Sequence, residues 1–211
     1  MERDEAIRTY KARRRVTAGQ AEAIERLLPR YGTHVPYGRT APLVLEIGSG
    51  MGEATAAMAA ADPDRDVLAV EVHTPGVGAL LRRLEAEGLT NVRVVEADGL
   101  DVLRAQAAGS LDEVRVLFPD PWPKARHDKR RLVTAGFVDL VADRLAPGGR
   151  LHVATDWQPY AEQVRTLLTG HPRLPLASTE RGARPLTRFE QQGLLAGRRP
   201  YDLVALRTAG A

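Results

Sequence analysis

From residue 43 onward, short apolar runs alternate with helical segments, and this alternation decides the fold class. The runs 43–47, 66–72, 92–96, 113–118 and 150–155 read as strands. Residues 52–61, 74–88, 99–107, 137–145 and 159–168 read as the helices that follow. Asp62-Pro63 ends the first helix, and Thr74-Pro75 opens the second as a cap with proline at the first helical position. Gly88 ends that helix, and Pro147-Gly148-Gly149 closes the fourth. Two late strands, 174–178 and 201–207, follow without a long helix between them. Strand–helix alternation builds βαβ units, whose right-handed crossovers put helices on both faces of a mostly parallel sheet. The expectation is an α/β, Rossmann-like domain with seven strands. Upstream, Thr17 caps a helix through about Leu28, with Pro29 and Gly32 after it, and 31–42 reads as a loop. The chain thus divides into a basic arm and helix at 1–40 and a domain at 41–211.

Composition removes several function classes. The chain has 211 residues and no cysteine, which excludes disulfides, thiolate metal sites and a cysteine nucleophile. His34, His73, His127, His152 and His171 lack metal-ligand spacing, so no metal is expected. No apolar run approaches the roughly 20 residues of a membrane span. The opening Met1-Glu2-Arg3-Asp4-Glu5 lacks the apolar core of a signal peptide, so the expected location is the cytoplasm, away from membranes. Net charge is only +3, but its distribution is uneven. Half of the 30 Lys and Arg fall in windows 8–15, 124–131 and 181–199, which hold only Asp128 and Glu190 as acids. If these windows converge, they form an anion-binding surface suited to nucleic acid.

Ligands of such sheets bind beyond the carboxyl ends of the strands. After the first strand comes Glu46-Ile47-Gly48-Ser49-Gly50-Met51-Gly52. Gly48, Gly50 and Gly52 permit a tight turn and close approach to a ligand. The spacing departs from the dinucleotide pattern G-x-G-x-x-G, and the preceding acid, Glu46, suits a ligand with a cationic end. Glu71, 23 residues beyond the first glycine, is placed to accept ribose hydroxyls. Asp98, after the third strand, is placed to accept from an adenine amino group, or simply to cap a helix. Together these residues read as one nucleoside site for S-adenosyl-L-methionine.

The fourth strand is followed by Phe118-Pro119-Asp120-Pro121-Trp122-Pro123-Lys124-Ala125-Arg126-His127-Asp128-Lys129-Arg130-Arg131. Its three prolines fix the backbone and hold Asp120 and Trp122 at little ordering cost. Asp120 stands where a substrate meets the transferred methyl, and the basic run behind it is suited to phosphate.

This segment closely resembles the signature of the bacterial tRNA (guanine-N7-)-methyltransferases, which are class I S-adenosyl-L-methionine enzymes. The resemblance extends to 46–52, Glu71, Asp98, Thr155-Asp156-Trp157 and Thr187-Arg188-Phe189-Glu190, and the basic stretch 8–20 is similar to the family's N-terminal segment. It implies a class I methyltransferase domain that methylates the ring nitrogen of guanine 46 in the tRNA variable loop. It also implies that Glu46, Glu71, Asp98 and Asp120 contact the cofactor, with Asp120 at the active site. By the same resemblance Lys124, Asp156, Thr187, Arg188, Phe189 and Glu190 contact the substrate. Arg126, His127, Asp128, Lys129, Arg130 and Arg131 would then interact with RNA.

Three other readings compete. Amino-group nucleic-acid methyltransferases carry Asn/Asp-Pro-Pro-aromatic after the fourth strand, whereas here Trp122 displaces the second proline. A nicotinamide oxidoreductase needs G-x-G-x-x-G. A non-catalytic RNA-binding protein on this scaffold has no use for the acids Glu46, Glu71, Asp98 and Asp120. Oligomeric state stays open between monomer and homodimer.

Overall fold

A computed structural model describes residues 15–209, and in it the first apolar run forms the centre of the sheet. The strands are β1 (Leu43–Ile47), β2 (Asp66–Glu71), β3 (Val92–Glu96), β4 (Leu111–Leu117), β5 (Leu145–Thr155), β6 (Leu176–Ser178) and β7 (Tyr201–Leu206). The helices are α1 (Ala18–Tyr31), α2 (Glu53–Ala61), α3 (Thr74–Ala86), α4 (Gly99–Ala105), α5 (Ala135–Arg144), α6 (Gln158–Thr169) and α7 (Arg188–Leu195). All seven strands join one sheet in the order β3-β2-β1-β4-β5-β7-β6. β1 to β5 pair in parallel, while β7 runs antiparallel to both β5 and β6. The order reverses between β1 and β4, which makes the cleft beyond their carboxyl ends the place for a ligand.

Alternate residues of each strand feed opposite cores. Leu45 and Ile47 join Val114, Val116, Leu151 and Val153 beneath α4, α5 and α6. Val44 joins Val67, Ala69, Val92 and Val94 beneath α1 and α3. Helix α1 commits Ala23, Leu27 and Tyr31 to that second core. Burying a leucine-sized side chain contributes roughly 1.5–3 kcal/mol, so α1 is held by the sheet and not by its own propensity.

The structure departs from the sequence expectations in four places. Pro29 lies inside α1 instead of beyond it, because Tyr31, 1% exposed, anchors the last turn in the core and Gly32 N–H closes onto Leu28 O at 2.8 Å. The cap of α3 is His73, since the Thr74 hydroxyl donates to Glu96 Oε1 at 2.7 Å instead of turning to the helix. Pro147-Gly148-Gly149 falls within β5, which starts at Leu145 beside Leu111. Helix α7 was not anticipated between the late strands. Its signal was Thr187-x-x-Glu190, in which the Thr187 hydroxyl accepts from Glu190 N at 3.3 Å.

Candidate active site

The carboxyl ends of β1 to β4 enclose a cavity of about 410 Å³, lined by Gly48, Gly50, Glu71, Asp98, Asp120, Trp122 and Arg130 among others. Gly48, Gly50 and Gly52 have φ of 81°, 56° and 77°, a run of left-handed backbone that side chains rarely adopt. Gly76, at the start of α3, packs so closely that a Cβ there would lie 2.5 Å from Gly50 O. The turn is thereby pinned against a helix N-terminus. Glu71 Oε2 accepts from Gly50 N at 2.7 Å, and Oε1 accepts from His73 N at 2.8 Å. A carboxylate has about four acceptor positions, so Glu71 keeps capacity for two hydroxyls. Asp98 does two jobs: its Oδ1 caps α4 by accepting from Leu100 N at 2.8 Å, and its side chain lines the cavity.

Glu46 is not in the cavity wall. It is 2% exposed, its Oε1 accepts from Thr55 Oγ1 at 3.0 Å, and its Oε2 has no partner. Burial pushes its carboxyl above the usual range, against the opposing pull of Arg115 and Thr55. The structure thus sets Glu46 apart from the cavity that Gly48, Gly50 and Glu71 line.

The loop after β4 is strained. Phe118 and Trp122, at φ 53° and 43°, are the non-glycine residues with positive φ among the described residues. Each precedes a proline, which further narrows its backbone. Such conformations cost on the order of 1–3 kcal/mol each and persist only where the surroundings over-determine them. Arg131 supplies part of that restraint. Its Nε donates to Pro121 O at 3.0 Å, its Nη1 to Gln163 Oε1 at 2.6 Å, and its Nη2 pairs with Asp128 Oδ1 at 3.0 Å. Its guanidinium carbon also lies 5.2 Å from the centre of the Tyr160 ring. At 5% exposure Arg131 is placed inside the loop, apart from the surface where its neighbours lie. Asp120 stands at the rim without a hydrogen-bond or ion-pair partner among the described residues, and desolvation holds its carboxyl above the usual range.

The sequence comparisons bear on what such a site belongs to. The methyltransferase family Methyltransf_4 matches residues 40–203. A tRNA (guanine-N(7)-)-methyltransferase of Nitrosospira multiformis is 48% identical, over 97% of this chain and 96% of its own. Another from Streptomyces avermitilis is 50% identical, over 95% of this chain and 75% of its own. The chain belongs to the tRNA (guanine-N(7)-)-methyltransferase family. Solved structures agree on the fold. The 16S rRNA methyltransferase KamB superposes with a TM-score of 0.58 at 17% identity, over 93% of this chain and 96% of its own. TrmN of Thermus thermophilus does so at 0.58 and 18%, over 89% of this chain and 48% of its own.

A phosphoethanolamine N-methyltransferase of Haemonchus contortus, alike in fold at a TM-score of 0.54 and 16% identity over 90% of this chain and 53% of its own, was solved in complex with S-adenosyl-L-methionine. The residues of this chain fit that cofactor. The turn at Gly48 and Gly50 is open on the side where a Cβ would stand. Glu71 has acceptor capacity for a ribose, and Asp98 lines the same cavity. Among the described residues there is no cluster of His, Asp or Glu that could hold a metal ion.

The expected substrate residues divide into two groups. Lys124, Arg126, Lys129 and Arg130 are exposed on or beside a 3-10 helix at Ala125–Arg130. Arg130 lies 5.0 Å over the Trp122 ring, and His127 meets that ring edge-on at 5.7 Å. Partial desolvation and the positive field of Arg130, Arg126 and Lys124 push His127 below its ordinary value. The other group is largely enclosed. Thr187 caps α7, and Glu190, 2% exposed, is paired with Arg181 and Arg184. Asp156 pairs with Arg198 at 2.7 Å. Arg188 and Phe189 are exposed, and the Phe189 ring lies 5.3 Å from that of Phe118. The window 181–199 thus spends Arg181, Arg184 and Arg198 on carboxylates, which its charge count alone conceals. Of the window 8–15, all but Arg15 lies outside the described residues.

Proposed function

We propose that this chain transfers a methyl group from S-adenosyl-L-methionine to the ring nitrogen of guanine 46 in the variable loop of tRNA. The observation that carries this reading is Asp120. It stands unpartnered at the mouth of the cofactor cavity, on a strained loop that continues directly into the exposed basic 3-10 helix.

Bound S-adenosyl-L-methionine supplies an electrophilic methyl on a sulfonium. The guanine ring nitrogen carries an in-plane lone pair, so no proton must leave before attack and no strong general base is needed. The chain's task is to orient that nitrogen in line with the methyl. Asp120, with both oxygens open, stabilises the positive charge that develops on the purine. Asp156 is assigned to the donor edge of the guanine, where its pairing with Arg198 holds it in place. Glu190 is assigned a supporting role, since its carboxylate is already filled by arginines. Lys124, Arg126, His127, Lys129 and Arg130 bind RNA phosphates, with Asp128 fixing Arg131 below them. Thr187, Arg188 and Phe189 meet the substrate on the other side. Withdrawing the base from its stack costs on the order of a few kcal/mol by analogy with flipped bases, and phosphate contacts offset it.

We assign 41–211 to the catalytic domain and 1–40 to a basic N-terminal arm followed by α1, whose Ala23, Leu27 and Tyr31 share a core with that domain. No helix among the described residues is long and apolar enough to cross a membrane, and a cytoplasmic location suits a tRNA substrate. The test is to incubate unmodified tRNA transcripts with labelled cofactor and map the product. Label on the ring nitrogen of guanine 46 is expected; label on an adenine or an exocyclic amino group would overturn the substrate assignment.

A further inference from the structure

Arg184 is fully enclosed, yet it touches neither the cofactor cavity nor the surface. Its guanidinium is gripped from two directions. Nη1 and Nη2 donate to Glu190 at 2.6 and 3.2 Å, while Nε and Nη2 donate to Asp202 at 2.8 and 2.8 Å. Glu190 sits in the first turn of α7, and Asp202 is on β7 opposite Ala154 of β5. Arg181 completes the charge on Glu190, and His152 Nε2 lies 2.8 Å from Asp202 Oδ1. The Arg184 guanidinium then lies over the ring of Phe118, with its carbon 5.0 Å from the ring centre. Phe118 is one of the two strained residues, it stands two positions before Asp120, and its N–H donates to Ala154 O at 2.7 Å. Its ring also packs on Phe189 of α7.

We infer that Arg184 is a positioning residue for methyl transfer, bracing Phe118, and through it Asp120, against the helix that Thr187 caps and that carries Phe189. The geometry asks for arginine in particular. Only a planar guanidinium can fork onto two carboxylates and present a face to an aromatic ring at once; a lysine keeps the charge and loses both the fork and the face. A left-handed phenylalanine before a proline would relax if one wall of its seat were removed. The loop would then carry Asp120 away while Glu71 and the glycine turn, tied by their own hydrogen bonds, stayed in place.

The inference rests on the methyl-transfer reading above, and one experiment separates the two. Single-turnover methyl transfer to tRNA is measured for the wild-type chain, Arg184→Lys and Phe118→Leu, alongside calorimetric affinities for S-adenosyl-L-methionine and tRNA. The expected result is a transfer rate, at saturating cofactor and tRNA, at least tenfold lower in both variants, with both affinities of Arg184→Lys within threefold of wild type. A rate within twofold of wild type, or a loss matched by equally weakened binding, overturns the inference. If Arg184→Lys does not fold, Phe118→Leu decides by its saturated rate alone, because it removes the ring against Arg184 and leaves the ion network whole. A wild-type chain that methylates no guanine overturns the functional reading, and this inference falls with it.

Discussion

Gly50 N–H donates to Glu71 Oε2 at 2.7 Å, so the acid expected to hold the ribose is tied to the glycine turn expected to admit the cofactor. The two features lie 21 residues apart in sequence and form one unit in space. The Glu71 carboxylate organises the turn before any ligand contributes, which is preorganisation in the literal sense.

Replacing Glu71 should therefore cost more than its own ligand contacts. In Glu71→Ala the N–H groups of Gly50 and His73 lose their acceptor, and an unsatisfied buried donor costs about 1–3 kcal/mol. Titration calorimetry should show affinity for S-adenosyl-L-methionine reduced by about tenfold to a hundredfold. Affinity for tRNA should hardly change. Equal loss of both would mean that the turn also shapes the RNA surface.

Arg130 and Arg131 are adjacent in sequence and should behave oppositely. Arg130→Ala should leave stability within about 0.5 kcal/mol, weaken tRNA binding and flatten its salt slope by about one phosphate contact. Arg131→Ala leaves Pro121 O and Gln163 without their donor, and it should destabilise by about 2–4 kcal/mol in denaturant titration. Its salt slope for tRNA should stay close to wild type in whatever fraction is folded. Swapped phenotypes would refute this division.

The ion network around Arg184 contributes to acid stability through Asp202. Burial alone would raise the Asp202 carboxyl, but His152 and Arg184 outweigh it and hold it at about 2, against an ordinary 3.8. The folded state therefore binds its proton less readily than the unfolded chain. The resulting stability is complete above the ordinary value and is lost as pH falls from about 5 toward 2. A shift of that size is worth about 2 kcal/mol. Denaturant titrations across this range should show the decline, and Asp202→Asn should flatten it while lowering stability at pH 7.

Asp120 should govern the acid limb of turnover. Desolvation holds its carboxyl above the usual range, so the ionised form needed beside a developing cation is lost at a higher pH than for an ordinary aspartate. Turnover should fall along that limb with Asp120 and lose the limb in Asp120→Asn, whose rate should be lower by about a hundredfold or more. Retained cofactor and tRNA affinity in Asp120→Asn would confirm that its work lies in the transition state. An unchanged acid limb would assign the titration to another group.

Local pattern was enough for much of this protein, because period and punctuation act within a few residues. The strands β1 and β3 fall where the apolar runs predict, and Gly48, Gly50, Glu71, Asp98 and Asp120 meet at one cavity because each lies at, or within three residues of, the carboxyl end of a parallel strand. What tertiary structure decided was which charges remain available. Of the arginines in windows 124–131 and 181–199, Arg131 and Arg184 turn inward and Arg181 and Arg198 pair with acids, since the fold brings Gln163 to Arg131, Asp202 to Arg184 and Asp156 to Arg198 from other elements. Charge counted along a chain treats every arginine alike; only packing separates a guanidinium that meets water and RNA from one that holds a backbone in place.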